Sequence, residues 1–166
     1  MADTAMRKVK RSEFAAFINT TPGSGAPTYA RMGKGITSQV IAYNPATTSE
    51  CYIHEDAATT SLDSYAPSIN TPQTCYAGEP VFEYVDGLRK ARAVGADAET
   101  DIVLVYIYDG TGNSYAAERC KAVIAIDEFG GDGGASTSIT YTVNLNGDPE
   151  IGTATISENS VTFTAG

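Results

Sequence analysis

The chain has no tryptophan, one histidine and three cysteines among 166 residues. Cys51, Cys75 and Cys120 are an odd set without a CxxC pair, so a disulfide framework is not expected. Buried free thiols, made in a reducing cytoplasm, are the simplest reading of them. No apolar run approaches the roughly 20 residues of a membrane-spanning helix, so no membrane insertion by this chain is expected. The basic start followed by the apolar piece 14–18 looks briefly like a signal peptide. Ser12 and Glu13 interrupt it, and the piece is shorter than an apolar core of about 7–15 residues, so the N-terminus is read as retained.

Cations are missing from most of the chain. From Gly35 to Leu88 there is no Lys or Arg, while Glu50, Glu55, Asp56, Asp63, Glu79, Glu83 and Asp86 are all present. From Ala93 onward, Arg119 and Lys121 stand against eleven acids. Arg7, Lys8, Lys10 and Arg11, by contrast, crowd the first eleven residues. A phosphate-binding surface must supply clustered cations, so a net charge of −9 argues against nonspecific nucleic-acid binding. The expected layout is a basic arm, 1–12, on a single acidic β domain, 13–166.

Within that domain, residues 13–18 read as a short helix or strand and 19–27 as a loop. Residues 36–43 read as a strand, β-branched and aromatic, ended by Asn44-Pro45. From 45 to 78 the pattern weakens into Thr, Ser and Pro, which predicts a long loop or hairpin leaving the body. One helix follows. Glu79-Pro80 opens it, Val81, Tyr84, Val85 and Leu88 recur at helical spacing, Arg89, Lys90 and Arg92 suit its negative end, and Gly95 is expected to stop it. The rest is β. Residues 102–108 are apolar on both faces, as a strand covered on both sides would be. Residues 116–126 form the next strand. Ile139, Tyr141, Val143 and Leu145 alternate with Ser138, Thr140, Thr142 and Asn144, so one face is apolar and the other polar. Asn146-Gly147 predicts a turn, and 151–156 with 161–164 a closing hairpin. The fold class is mainly β (β+α), a β-sandwich or half-open barrel of seven or eight strands with one flanking helix.

Chemistry is hard to find. Cys51 and His54 are close in sequence, but a dyad requires their side chains to meet, and zinc needs three or four ligands. Asp109-Gly-Thr-Gly-Asn113 lacks the downstream bidentate Glu of a calcium loop and reads as a hairpin turn. The glycine clusters at 23–25 and 130–134 carry no GxxxxGK[ST]. Glu99 and Asp101 share a strand face and read as a solvated acidic pair. No catalytic, cofactor-binding or metal residue is expected, and no enzyme.

Several stretches, in order, resemble one family. They are Lys8-Val-Lys10-Arg11-Ser12-Glu13-Phe14, Tyr29-Ala-Arg31-Met-Gly33-Lys-Gly35, Ile41-Ala-Tyr43-Asn44-Pro45, Cys51-Tyr52-Ile53-His54-Glu55-Asp56 and Ser64-Tyr65-Ala66-Pro67. Gly78-Glu-Pro80-Val-Phe82-Glu-Tyr84-Val-Asp86-Gly-Leu88-Arg89 and Leu145-Asn-Gly147-Asp-Pro149-Glu-Ile-Gly152-Thr153 complete the set. The chain is similar to major tail tube proteins of long-tailed, siphovirus-type bacteriophages. The resemblance implies hexameric rings stacked into a hollow tube that conducts double-stranded DNA without specific binding. It implies a tape-measure protein, a tail terminator and tail-tip or baseplate proteins as partners. It also implies a virion tail assembled in the bacterial cytoplasm, with arm and loops locking ring to ring.

Two groups of residues follow as expectations. Opposite charge pairs Arg7, Lys8, Lys10 and Arg11 with Glu50, Glu55, Asp56 and Asp63 across a ring-stacking contact. Ser38, Ser138, Thr140, Thr142 and Asn144 face the channel. The rival class is a β-sandwich binding or adhesion domain of a virion or cell surface, which would stay monomeric and present a ligand cleft.

Overall fold

A computed structural model describes residues 5–166; positions 1–4 of the expected arm lie outside the described residues. Among the described residues ten strands form: β1 (Phe14–Asn19), β2 (Tyr29–Arg31), β3 (Val40–Ala42), β4 (Ala46–Glu50), β5 (Thr59–Ser64), β6 (Ser68–Thr74), β7 (Glu99–Thr111), β8 (Ser114–Gly130), β9 (Ser138–Ser157) and β10 (Ser160–Ala165). The helix α1 (Pro80–Ala91) lies between β6 and β7. Eight strands make one antiparallel sheet in the order β2-β1-β7-β8-β9-β6-β3, with β10 added to β9. β4 and β5 form a separate hairpin.

β8 and β9 hold the architecture together. They run 17 and 20 residues and pair along most of their length. The register jumps from Arg119↔Glu150 to Lys121↔Asn146, so 147–149 bulge out with Gly147 at φ 70. Extra residues on one strand bend and twist it. Asn146-Gly147 is therefore a bulge and not the expected turn, and 151–156 is the continuation of β9. The bend splits the sheet into two halves. In one, β2, β1, β7, β10 and the adjoining halves of β8 and β9 curl round until Arg31 N donates to Asn159 O at 3.1 Å. In the other, the remaining halves of β8 and β9 continue into β6 and β3 beneath α1.

β7 serves both halves. Ile102 and Leu104 enter a core with Ile69, Val81, Val85 and Tyr141, while Val103 and Val105 enter a second core with Phe17, Tyr29, Ala154 and Val161. All four of these β7 side chains are fully buried. Each such burial stabilises by about 1.5–3 kcal/mol. The two-faced apolar run in the sequence thus marks a strand covered on both sides.

α1 begins where expected. Pro80 needs no hydrogen-bond acceptor for a first-turn N–H, and the Glu79 carboxylate accepts from Phe82 N at 2.7 Å. Val81 and Val85 are buried, with Tyr84 and Leu88 packed beside them. The helix ends earlier than expected. Arg92 takes the left-handed conformation at φ 46, and Ala93 N returns to Leu88 O, so Gly95 instead opens a short 3₁₀ turn, Gly95–Ala98.

Two expectations before the helix are corrected. The strand expected over 36–43 is only Val40–Ala42. Ile36 N is tied into a turn with Gly33 O, and the Gln39 side chain is buried where Nε2 donates to Thr71 Oγ1 at 3.4 Å. The excursion expected over 45–78 shrinks to the β4–β5 hairpin, because β6 is a strand of the main sheet with Ile69, Thr71 and Gln73 buried. Pro72 obscured it, since proline weakens a strand reading. It is accommodated because β3 pairs only with residues 68–70 of β6.

Candidate assembly surfaces

The four-stranded half of the sheet has two open edges. β7 stops pairing with β8 at Val123↔Glu99, so residues 124–130 bond only to β9. On the far side, β3 bonds only to β6. Val40 on that edge is 70% exposed, and Phe129 on the other is also exposed. Unpaired strand edges present free N–H and C=O groups with which another strand can pair.

One face of this half is covered by α1 and the other is polar. Ser138, Thr140, Thr142 and Asn144 point away from the core, opposite Thr74, Pro72, Asn70 and Ser68 of β6. Thr142 Oγ1 donates to Asp127 Oδ2 at 2.8 Å and receives Asn70 Nδ2 at 3.5 Å. The structure thus brings four of the five expected channel residues into one row. Ser38 is exposed but lies in the irregular segment before β3, outside the paired register.

The arm is less free than its charge implied. Arg7 holds Glu13 through two bonds of 2.9 and 2.7 Å, and Lys10 N donates to the same carboxylate at 2.7 Å. These bonds, Arg7 first, hold Glu13 down to about 2. Arg11 donates to Phe14 O at 2.7 Å and Gln39 O at 3.2 Å, with its guanidinium over the Phe14 ring. Arg7 and Arg11 are thereby engaged within the subunit. Lys8 and Lys10 are exposed and make no ion pair among the described residues.

The β4–β5 hairpin carries the expected acids but packs on nothing. Every residue of both strands is exposed. Glu50 accepts from Tyr52 OH at 2.8 Å, Glu55 lies 3.5 Å from His54, Asp56 is exposed, and Asp63 accepts from Thr48 Oγ1. Tyr52 and Ile53 stand in solvent at the tip. A lone two-stranded hairpin of this kind is marginal in water.

The tempting chemical groups stay apart. Cys51 is exposed, contrary to the expectation of buried thiols, and its Sγ donates to Glu55 O at 3.3 Å. His54 stacks on Tyr52 instead, with ring centroids 6.3 Å apart. Cys120 is buried, and burial, helped by the nearby Glu118 charge, pushes its thiol up to about 11. Asp101 accepts from Asn19 Nδ2 at 2.8 Å and from Tyr29 OH, so it closes one end of the second core. Among the described residues, no three His, Cys, Asp or Glu side chains are grouped to hold a metal ion. No helix among them is long and apolar enough to cross a membrane.

Sequence reasoning missed a cleft at the hairpin root, assembled from Tyr43, Tyr65, Tyr106 and Glu118 on separate segments. The available signal was a tyrosine on each side of the hairpin, Tyr43 before β4 and Tyr65 after β5. Nothing in the spacing said that β7 would pass beneath them.

No protein-family model matches the chain, and no curated protein matches it in sequence. Solved structures match it in shape. The fold is that of phage-type tail tube and tube-terminator proteins, mainly β with one helix on an antiparallel sheet. A chain from the tail of an empty GTA particle, refined with helical C6 symmetry, superposes with TM-score 0.60 at 13% identity, covering 95% of this chain and 100% of that one. The sheath/tube terminator of an extracellular contractile injection system, PVC, gives 0.54 at 8% identity over 89% and 98%. The tube-terminating cap of the anti-feeding prophage gives 0.52 at 13% identity over the whole of both chains. By their names, the first is part of a tail and the other two terminate tubes.

Proposed function

We propose that this chain is a non-enzymatic tail tube subunit that closes into hexameric rings and stacks them into a hollow tube for DNA. The observation that carries the reading is the four-stranded half-sheet with open edges at β3 and at residues 124–130 of β8. A heterologous edge-to-edge contact that closes makes a ring, and every open edge is then satisfied. Its polar face, with Asp127 and Glu128 beside Thr140 and Thr142, becomes the inner wall, where carboxylates repel phosphates and passing DNA does not stick. Ring stacking falls to the arm and the hairpin. A tape-measure protein, a terminator and tail-tip or baseplate proteins complete the assembly, which forms in the bacterial cytoplasm and ends in a virion tail of the long, non-contractile type.

Negative-stain microscopy of the purified chain tests this. Rings or hollow filaments are expected, and Val40→Lys, which places a charge on the β3 edge, leaves a folded monomer. Concentrated protein that stays monomeric when offered a tail-tip complex rejects the proposal. A second reading is a tube terminator, supported by two neighbours that are terminators. A terminator forms one ring and stops; a tube subunit adds ring upon ring.

A further inference from the structure

The cleft at the hairpin root encloses about 840 Å³ between the sheet and the segments entering and leaving the hairpin. Tyr43, Tyr65 and Tyr106 supply aromatic surface, and Asp63, Glu118 and Asp148 supply carboxylates. No Lys or Arg lines it. Tyr106 OH donates to Glu118 Oε1 at 2.7 Å, which fixes that carboxylate beside the rings. Tyr43 and Tyr65 meet edge to face at 6.2 Å. Aromatic faces around a carboxylate form a box for an ammonium group, stronger as water is excluded.

We propose that this cleft is a cation receptor, and that its occupant is the 5–10 segment of a second copy, which inserts Lys8 and Lys10. The proposal rests on the tube reading only in placing the two copies in successive rings. Three observations select this occupant. Lys8 and Lys10 are exposed cations without an ion pair among the described residues, whereas Arg7 and Arg11 are engaged at home. Lys10 has an extended, polyproline-like backbone, φ −81 and ψ 149, and at about 3.1 Å rise per residue Lys8 and Lys10 are spaced about 6 Å along such a segment, close enough to enter one cleft. The other unpartnered element, the hairpin tip, carries Glu50, Glu55 and Asp56 and would bring like charge to Asp63, Glu118 and Asp148.

A fluorescein-labelled peptide of residues 5–12, titrated into full-length protein carrying K8Q and K10Q, tests the receptor. Saturable binding is expected, weakened at least about tenfold by E118Q and by Y65A, and by raised salt. A peptide with both lysines changed to Glu is expected not to bind. Circular dichroism checks that both cleft variants stay folded. No binding, or binding indifferent to both cleft variants, overturns the proposal. Electron microscopy scores rings separately. Peptide binding without rings supports the receptor and rejects the tube reading, and tubes without peptide binding reject the receptor.

Discussion

Gln73 Nε2 donates to Glu79 Oε2 at 3.1 Å, on the same oxygen that caps α1 by accepting Phe82 N. The other end of the Gln73 amide accepts Tyr141 OH at 3.0 Å. One buried amide therefore ties β9, β6 and the start of the helix together. Such a network is stable when every member is satisfied and costly when one is removed.

Removing the cap is expected to cost more than a surface cap does. Glu79→Ala loses the Phe82 bond and strips one acceptor from Gln73, for about 2 kcal/mol in all. Tyr141→Phe, which keeps the ring and leaves Gln73 Oε1 without its donor, is expected to cost about 1–2 kcal/mol. Urea unfolding followed by circular dichroism measures both, with the m-value unchanged. An effect of Tyr141→Phe within about 0.3 kcal/mol of zero would mean the network adds nothing.

Gly152 pairs with Ala165 at the end of the β9–β10 ladder. A Cβ there would meet Thr164 O and come within 2.9 Å of the Phe163 ring. Gly152→Ala is expected to push β10 away from β9 and destabilise by about 1–3 kcal/mol. Hydrogen exchange should show it first in the amides of β10. Gly133→Ala, where nothing lies within 4 Å and φ is not positive, is the control and is expected to be neutral.

The arm tie has a defined acid limit. Glu13 is held at about 2, below its ordinary 4.5, by Arg7 and then by Lys10 N. A lowered carboxylate stabilises fully above its ordinary value and loses that contribution as pH falls through the lowered one. The arm is therefore expected to stay docked at pH 5 and above and to release only in strong acid. At neutral pH, Glu13→Gln is expected to release it, read as faster trypsin cleavage after Arg7, Lys8 and Lys10. Equal cleavage of the two proteins would show that the tie does not hold the arm.

The polar row makes a prediction about passage. Thr140→Arg with Asn144→Arg adds two cations to the face bearing Ser138 and Thr142. Assembled tubes are expected to form but to retain double-stranded DNA in a salt-dependent way, seen by co-sedimentation at low and high salt. Retention equal to that of the unchanged tube would place this face outside the channel.

How much of this was readable depends on the element. The helix was, because Glu79-Pro80 and the Val81, Val85 spacing act locally. The doubly covered β7 was, because burial on both faces leaves no polar position in residues 102–105. β6 was not, since Pro72 argues against a strand unless the neighbour is known to stop short. Asn146-Gly147 misled for a similar reason: the pair favours a tight turn, yet the long ladder with β8 turned it into a bulge. The row from Ser138 to Asn144 was visible as alternation. The cleft of Tyr43, Tyr65 and Tyr106 needed chain crossings that no local pattern encodes.

Because β9 runs for 20 residues through the 147–149 bulge, a contour of about 65 Å, it belongs to both halves of the subunit. A lateral push on the open β3 margin passes through β6 into this strand and reaches the curled half along one chain, bent at the 147–149 bulge. The subunit should bend as a single springy plate. In the proposed tube, stiffness built into the protomer in this way would let a long cylinder flex without opening gaps in its wall.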